Sequence, residues 1–159
     1  MTHARSEYKD FMTLAPDAYA AVLALGQVAA KVGMDKQLLE LIKLRASQIN
    51  GCAFCVQYHI LESEKLGVPA DKLNLVVVWR EAPQFSARER AALAWTEALT
   101  LLADGVSDEV YAQASRGFSE KELAYLTSAV ASINVWNRFG VAYRWSPPAR
   151  QVQVSAKAS

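Results

Sequence analysis

The sequence predicts an all-α fold. Three observations lead there. Apolar residues recur at helical spacing through most of the chain, and these stretches are bracketed by residues that start and stop helices. Two of the starts are S-x-x-E boxes. Only one run, LVVVW, has strand character, and helical spacing surrounds it. No repeat, low-complexity linker or composition break divides the chain. The expectation is one helical-bundle domain over residues 1–159, with about six or seven helices, an arm over 1–12 and a tail over 147–159.

Each element has a local reason. The first dozen residues lack periodicity and read as the arm. Pro16 suits a first helical position, Asp17 complements the helix dipole, and the pattern runs through DAYAAVLALGQVAAK to a stop at Gly33. Asp35 is a fitting N-cap for KQLLELIKLRASQIN, which ends at Asn50 and Gly51. The next helix begins near Cys52 and ends at Gly67, with Pro69 beyond it. A short helix is expected over 71–81, before Pro83. Ser86 with Glu89 opens ARERAALAWTEALTLLA, which stops near Gly105. Ser107, Asp108 and Glu109 start a short helix closed by Gly117, and Ser119 with Glu122 opens KELAYLTSAVASINVWNRFGVAYR. After Pro147 and Pro148 the sequence is polar and reads as frayed.

Composition narrows the function classes. The 159 residues are 52% hydrophobic, enough for a real core and too apolar for general disorder. Seventeen Lys and Arg against sixteen Asp and Glu offer no general attraction to nucleic acid or an anionic membrane. MTHARSEYKDF lacks the apolar core of a signal peptide, and LNLVVVW is far too short to span a bilayer. The expected compartment is the cytoplasm, where a C-x-x-C pair is more often catalytic or metal-binding than a structural staple.

The helix after Asp35 is unusual. Leu38, Leu39, Leu41, Ile42, Leu44 and Ile49 spread over roughly 220° of its circumference. Such a face implies burial on more than one side. Arg45 falls within the arc, and Glu40 and Lys43 lie at its borders. A covered Glu40 would need a partner or a raised pKa. The alternative is a surface pair with Lys43 or Lys36.

The stretch INGCAFCVQYH holds both cysteines and one of the two histidines. On a helix, Cys52, Cys55 and His59 fall within roughly a 60° arc, and Cys55 and His59 are an i, i+4 pair. Cys52 stands at the helix start, where free N–H groups and the dipole favour the thiolate and lower a cysteine pKa from ~8.5. If the two helices fold back about Gly51, position 40 lies within one turn of His59 and Ser47 lies near Cys55. Glu40 could then orient the imidazole while His59 takes a proton from Cys55, the logic of nucleophile, base and orienting group. Ser47 is a further hydrogen-bonding candidate. Other readings stay open on the residues alone. The cysteines could be core packing. Zinc could use Cys52, Cys55 and His59, but the only other histidine is His3, on the arm, and there is no second C-x-x-C. Covalent haem needs His where Val56 stands, and a thioredoxin motif should follow a strand.

The run ELIKLRASQINGCAFCVQYH, over 40–59, resembles the core motif of the alkyl hydroperoxidase D / carboxymuconolactone decarboxylase family. The similarity is sharp over about 30 residues, and the surrounding helical pattern suits that family's all-helical fold. In its hydroperoxidase branch the resemblance implies that Cys55 attacks the peroxide, Cys52 is its disulfide partner, and His59 and Glu40 relay the proton. The decarboxylase branch lacks the redox pair. One position departs: the best-understood hydroperoxidases carry histidine directly before the second cysteine, where this chain has Phe54. That removes one relay member and leaves Phe54 to pack or to line an apolar entrance.

The resulting expectation is a thiol-dependent hydroperoxide reductase without metal, flavin or haem, restored by an external dithiol. A lipoyl group or small dithiol protein as donor is implied by the resemblance alone. A non-enzymatic redox sensor using the same disulfide and a carboxymuconolactone-type decarboxylase are the alternatives. The resemblance also implies a trimer or hexamer, and Trp136, Phe139, Val141, Tyr143 and Trp145 supply an aromatic load that either joins protomers or caps the protomer's own core.

Overall fold

In the computed structural model residues 4–150 are described; His3 and residues 151–159 of the expected tail lie outside them. The described residues form eight α-helices and one 3₁₀ turn, with no strand. The helices are α1 (Tyr8–Leu14), α2 (Pro16–Lys31), α3 (Lys36–Ile49), α4 (Ala53–Lys65), α5 (Ala70–Leu75), α6 (Ala87–Leu101), α7 (Asp108–Gly117) and α8 (Glu120–Tyr143). No single helix among them is long and apolar enough to cross a membrane.

The caps explain most boundaries. The Asp35 carboxylate accepts the Gln37 N–H at 2.9 Å. At α6 the Ser86 hydroxyl accepts from the Glu89 N–H at 3.2 Å and the Glu89 carboxylate accepts from the Ser86 N–H at 2.8 Å. Ser119 and Glu122 make the same reciprocal pair at the start of α8. Gly33 and Gly51 turn the chain after α2 and α3 with φ of 88° and 68°, in the region glycine enters without a Cβ penalty.

α3 is the central helix. Leu38, Leu39 and Ile42 belong to one core cluster with Trp95, Phe118, Leu126 and Val130. Leu41 and Leu44 belong to a second, with Val68, Trp79, Phe85 and Leu93. The wide apolar face thus serves two cores, and α3 packs on α4, α6 and α8. Arg45, inside that arc, is neutralised by Glu97, whose carboxylate accepts from Arg45 Nε at 2.7 Å and from the Trp79 indole at 2.9 Å. The partner of Arg45 lies 52 residues away and has no local sequence signal.

Three expectations are corrected. Residues 8–12 of the supposed arm belong to α1, which raises the helix number. Seven residues are too few to show a period, yet Phe11 is buried and the Asp10 carboxylate accepts the Glu7 N–H at 2.9 Å. The helix expected over 71–81 stops at Leu75 and tightens into the 3₁₀ turn Val76–Val78. Three successive β-branched residues favour a helix poorly, and the turn buries Val76 while leaving Val77 and Val78 exposed. α6 stops at Leu101, before Gly105, because Leu102 itself adopts the left-handed conformation, φ 50°.

Candidate active site

Cys52 is the N-cap residue of α4, and its Sγ accepts the Cys55 N–H at 3.2 Å. The two cysteines are joined as a disulfide, with Cα atoms 5.3 Å apart. The Cys52 N–H donates to the Ser47 carbonyl at 3.1 Å, which ties the pair to the last turn of α3. His59, one turn beyond Cys55, is buried, as is Glu40. Their antiparallel helices bring His59 Nδ1 within 2.6 Å of Glu40 Oε2. Lys43 Nζ donates to the other carboxylate oxygen at 2.8 Å. Glu40 therefore has both partners, the imidazole and Lys43. Burial pushes its pKa up, but the hydrogen bond and charge of His59, with Lys43, outweigh that and lower it to about 2. An ionised Glu40 favours a proton on Nδ1, which leaves Nε2 as the basic nitrogen.

Cys55 and His59 open on a cavity of about 240 Å³. Its walls include the rings of Tyr8, Phe54, Tyr58, Trp136 and Trp145, with Glu40, Lys43 and Glu62 as charged members. Phe54 both packs and lines: its ring lies 4.9 Å from Tyr8 and 5.5 Å from Trp145. Tyr8 reaches the cavity because α1 folds over the end of α8. There the Glu7 carboxylate accepts from the Ser146 N–H at 3.0 Å and its hydroxyl at 2.8 Å. Cys52 is not among the cavity residues; it borders a separate, shallow hollow with Gly51, Ala53, Val56, Gln57 and Pro147. Among the described residues no group of three or more His, Cys, Asp or Glu side chains is arranged to hold a metal ion.

Ser47 does not do what its position suggested. Its hydroxyl donates to the Lys43 carbonyl at 2.7 Å and accepts from Asn137 Nδ2 at 3.0 Å, with no hydrogen bond to Cys55. Helix geometry puts the i−4 carbonyl within reach of the hydroxyl, and full burial requires that the hydroxyl be paired. Asn137, absent from the sequence-level site, also accepts the Asn50 amide at 2.9 Å. It thereby clamps the α3–α4 turn to α8. Asn137→Ala would leave Ser47 without its donor and remove one acceptor from Asn50. It should cost about 2–3 kcal/mol, read as a lower urea midpoint at unchanged m-value. An unchanged midpoint would show the clamp to be dispensable.

A model of the carboxymuconolactone decarboxylase family matches residues 16–98, a span that takes in α2 to α5, most of α6 and all of Glu40, Cys52, Cys55 and His59. The chain belongs to the carboxymuconolactone decarboxylase family. It is 30% identical over 138 residues to the uncharacterized protein YdfG of Bacillus subtilis (strain 168), covering 86% of this chain and 94% of that one. A crystal structure from Agrobacterium tumefaciens, of a protein of unknown function described as a candidate antioxidant defence protein AhpD, is 38% identical. It covers 93% of this chain and is itself covered in full, with a TM-score of 0.85. The debrominase Bmp8, at 21% identity, shares the fold, with a TM-score of 0.78 over 87% of this chain and 75% of its own. This family member is thus an AhpD-like helical protein with a cysteine pair at its centre. Tyr8, Trp136, Asn137 and Trp145 lie outside the matched span.

Proposed function

We propose that the protein is a cytoplasmic thiol-dependent hydroperoxide reductase. One observation carries this reading: the sulfur pair abuts a cavity into which Cys55 opens beside an imidazole already oriented by a carboxylate. In the reduced enzyme His59 accepts the Cys55 proton, and the thiolate attacks the peroxide. An S–O bond forms, the O–O bond breaks, and the alcohol leaves with the proton. Cys52 then attacks the sulfenic sulfur; an S–S bond forms and water leaves. An external dithiol, lipoyl-type or a small dithiol protein, returns the pair to thiols by exchange and becomes the disulfide. One hydroperoxide and one dithiol thus give one alcohol, one water and one disulfide.

The aromatic walls suit an organic hydroperoxide better than hydrogen peroxide, because an apolar group gains by leaving water for such a surface. Steady-state turnover of both peroxide types with a panel of dithiols tests the reading, with organic hydroperoxides expected to show the higher kcat/KM. Oxidation once per protein, without turnover under any reductant, would overturn it in favour of a redox sensor.

An oligomer, trimer or hexamer, is also proposed, on a different footing from the aromatic load near the C-terminus. Trp145 is buried, and Phe139 and Trp145 lie 4.6 and 5.6 Å from Phe11 of α1, so much of that load caps the protomer itself. Met12, Leu14, Leu23, Leu25 and Val32, on or beside α1 and α2, are among the exposed large apolar side chains, together with Val141 and Tyr143 of that load. Light scattering at micromolar concentration should give a multiple of the 17.5 kDa chain mass. The mass of one chain would refute assembly.

A further inference from the structure

Gly140 sits three residues before the end of the 24-residue helix α8, and its φ is not positive. A glycine there weakens the helix by about 1 kcal/mol relative to alanine, so backbone geometry does not account for it. Space does. A Cβ on residue 140 would lie 2.5 Å from Cys52 Sγ, 3.2 Å from Cys55 Sγ and 3.6 Å from Trp145 Cε3. Ordinary contacts of this kind are about 3.5–4.0 Å. Elsewhere the tight neighbour is an ordinary side chain: at Gly26 the tip of Ser132, at Gly117 the methyl of Ala91. At Gly140 it is a pair of sulfurs fixed to one another.

We infer that Gly140 is a positioning residue for the redox pair: its missing side chain is the space in which the Cys52–Cys55 bond closes. This rests on the reading that the pair cycles. A methyl at 140 would act unequally on the two oxidation states. In the dithiol, the Cys52 side chain can leave by rotating to another staggered position. In the disulfide, each sulfur is tied to the other and cannot. The same residue's carbonyl accepts the Trp145 N–H at 3.2 Å, so the turn carrying Trp145 to the cavity wall is anchored at the sulfur seat.

The test is the equilibrium between the protein and dithiothreitol. Protein dithiol and oxidised dithiothreitol give protein disulfide and reduced dithiothreitol, with two electrons and two protons passing between them. Free thiols are counted after acid quench and alkylation across a series of reduced-to-oxidised ratios. G140A should shift the equilibrium at least tenfold toward the protein dithiol, about 30 mV for a two-electron couple. The dithiol form itself should be no less stable, since alanine is the better helix former. A midpoint within twofold of the unsubstituted protein would overturn the inference. Should G140A fail to fold, G140A/C52A removes the nearest sulfur: recovery of soluble folded protein supports the clash, and continued failure overturns it. No peroxide enters this measurement. Lack of hydroperoxide turnover in the unsubstituted protein would therefore sink the reductase reading while leaving the G140A comparison to stand or fall alone.

Discussion

Cys55→Ser is expected to abolish hydroperoxide turnover, and Cys52→Ser to leave one reactive thiol that stalls as a sulfenic acid. Two effects compete for the role of nucleophile. Cys52 holds the N-cap of α4 and is buried, where a dipole interaction reaches about 2 kcal/mol, roughly thirtyfold in an equilibrium. Cys55 has His59 one turn away, with Glu40 2.6 Å behind it, and a general base contributes about 10²–10⁴-fold in rate. The base wins, by a factor between about three and a few hundred. Access agrees, since Cys55 borders the aromatic cavity and Cys52 lies against α8 at Gly140. Trapping of sulfenic acid in each single-cysteine variant checks the assignment. A label on Cys52 in Cys55→Ser, with Cys55 inert in Cys52→Ser, would reverse it.

His59→Ala should slow oxidation of Cys55 about 10²–10⁴-fold at neutral pH by removing the proton acceptor. Glu40→Gln keeps the shape but loses the charge that holds the proton on Nδ1. A hydrogen bond to a charged group is worth about 1.5–3 kcal/mol, so its effect on rate should be about ten- to a hundredfold. Both substitutions should also show in stability, because burial raises the Glu40 pKa and His59 does most to lower it. Glu40 titrates near 2 in the folded protein against an ordinary value of 4.5. Between those values the unfolded chain binds more protons than the folded one, so stability rises with pH there. The contribution is complete above about 5 and is lost as pH falls toward 2. Glu40→Gln should flatten this part of a plot of unfolding free energy against pH. An acid limb as steep as that of the unsubstituted protein would place the acid sensitivity elsewhere.

What could be read in the sequence was whatever lies close along the chain. Caps at Asp35, Ser86, Ser107 and Ser119 announce their helices because donor and acceptor stand two or three residues apart. The Glu40–His59 pair was legible because one glycine turn joins two antiparallel helices, so register follows from counting. Ser47 illustrates the limit: counting placed it near Cys55, but its hydroxyl is held by Asn137, 90 residues on. The aromatic cavity was invisible for the same reason, since Tyr8 and Trp136 come together only when α1 meets α8. Gly140 did leave a trace. An isolated glycine inside a helical pattern calls for a packing reason, though nothing in NRFGVAY says that the neighbour is a pair of sulfurs.

The clasp between Glu7 and Ser146 joins residues 139 apart, whereas Glu40 and His59 are 19 apart. Closing a loop costs entropy that grows as about (3/2)RT ln n, so the longer closure costs roughly 1.8 kcal/mol more. The hairpin of α3 and α4 has the shorter loop to close, and its helices of 14 and 13 residues then rest on α6 and α8. The cavity has the longer one, because its Tyr8 wall arrives with a seven-residue helix that is too short to hold itself together in water. On the proposed reading the cheaper closure is expected to come first, so that thiol chemistry would become available before substrate selection. A newly made chain would then pass through an interval in which its cysteine pair is open to any oxidant or thiol that reaches it, until docking of α1 completes the cavity.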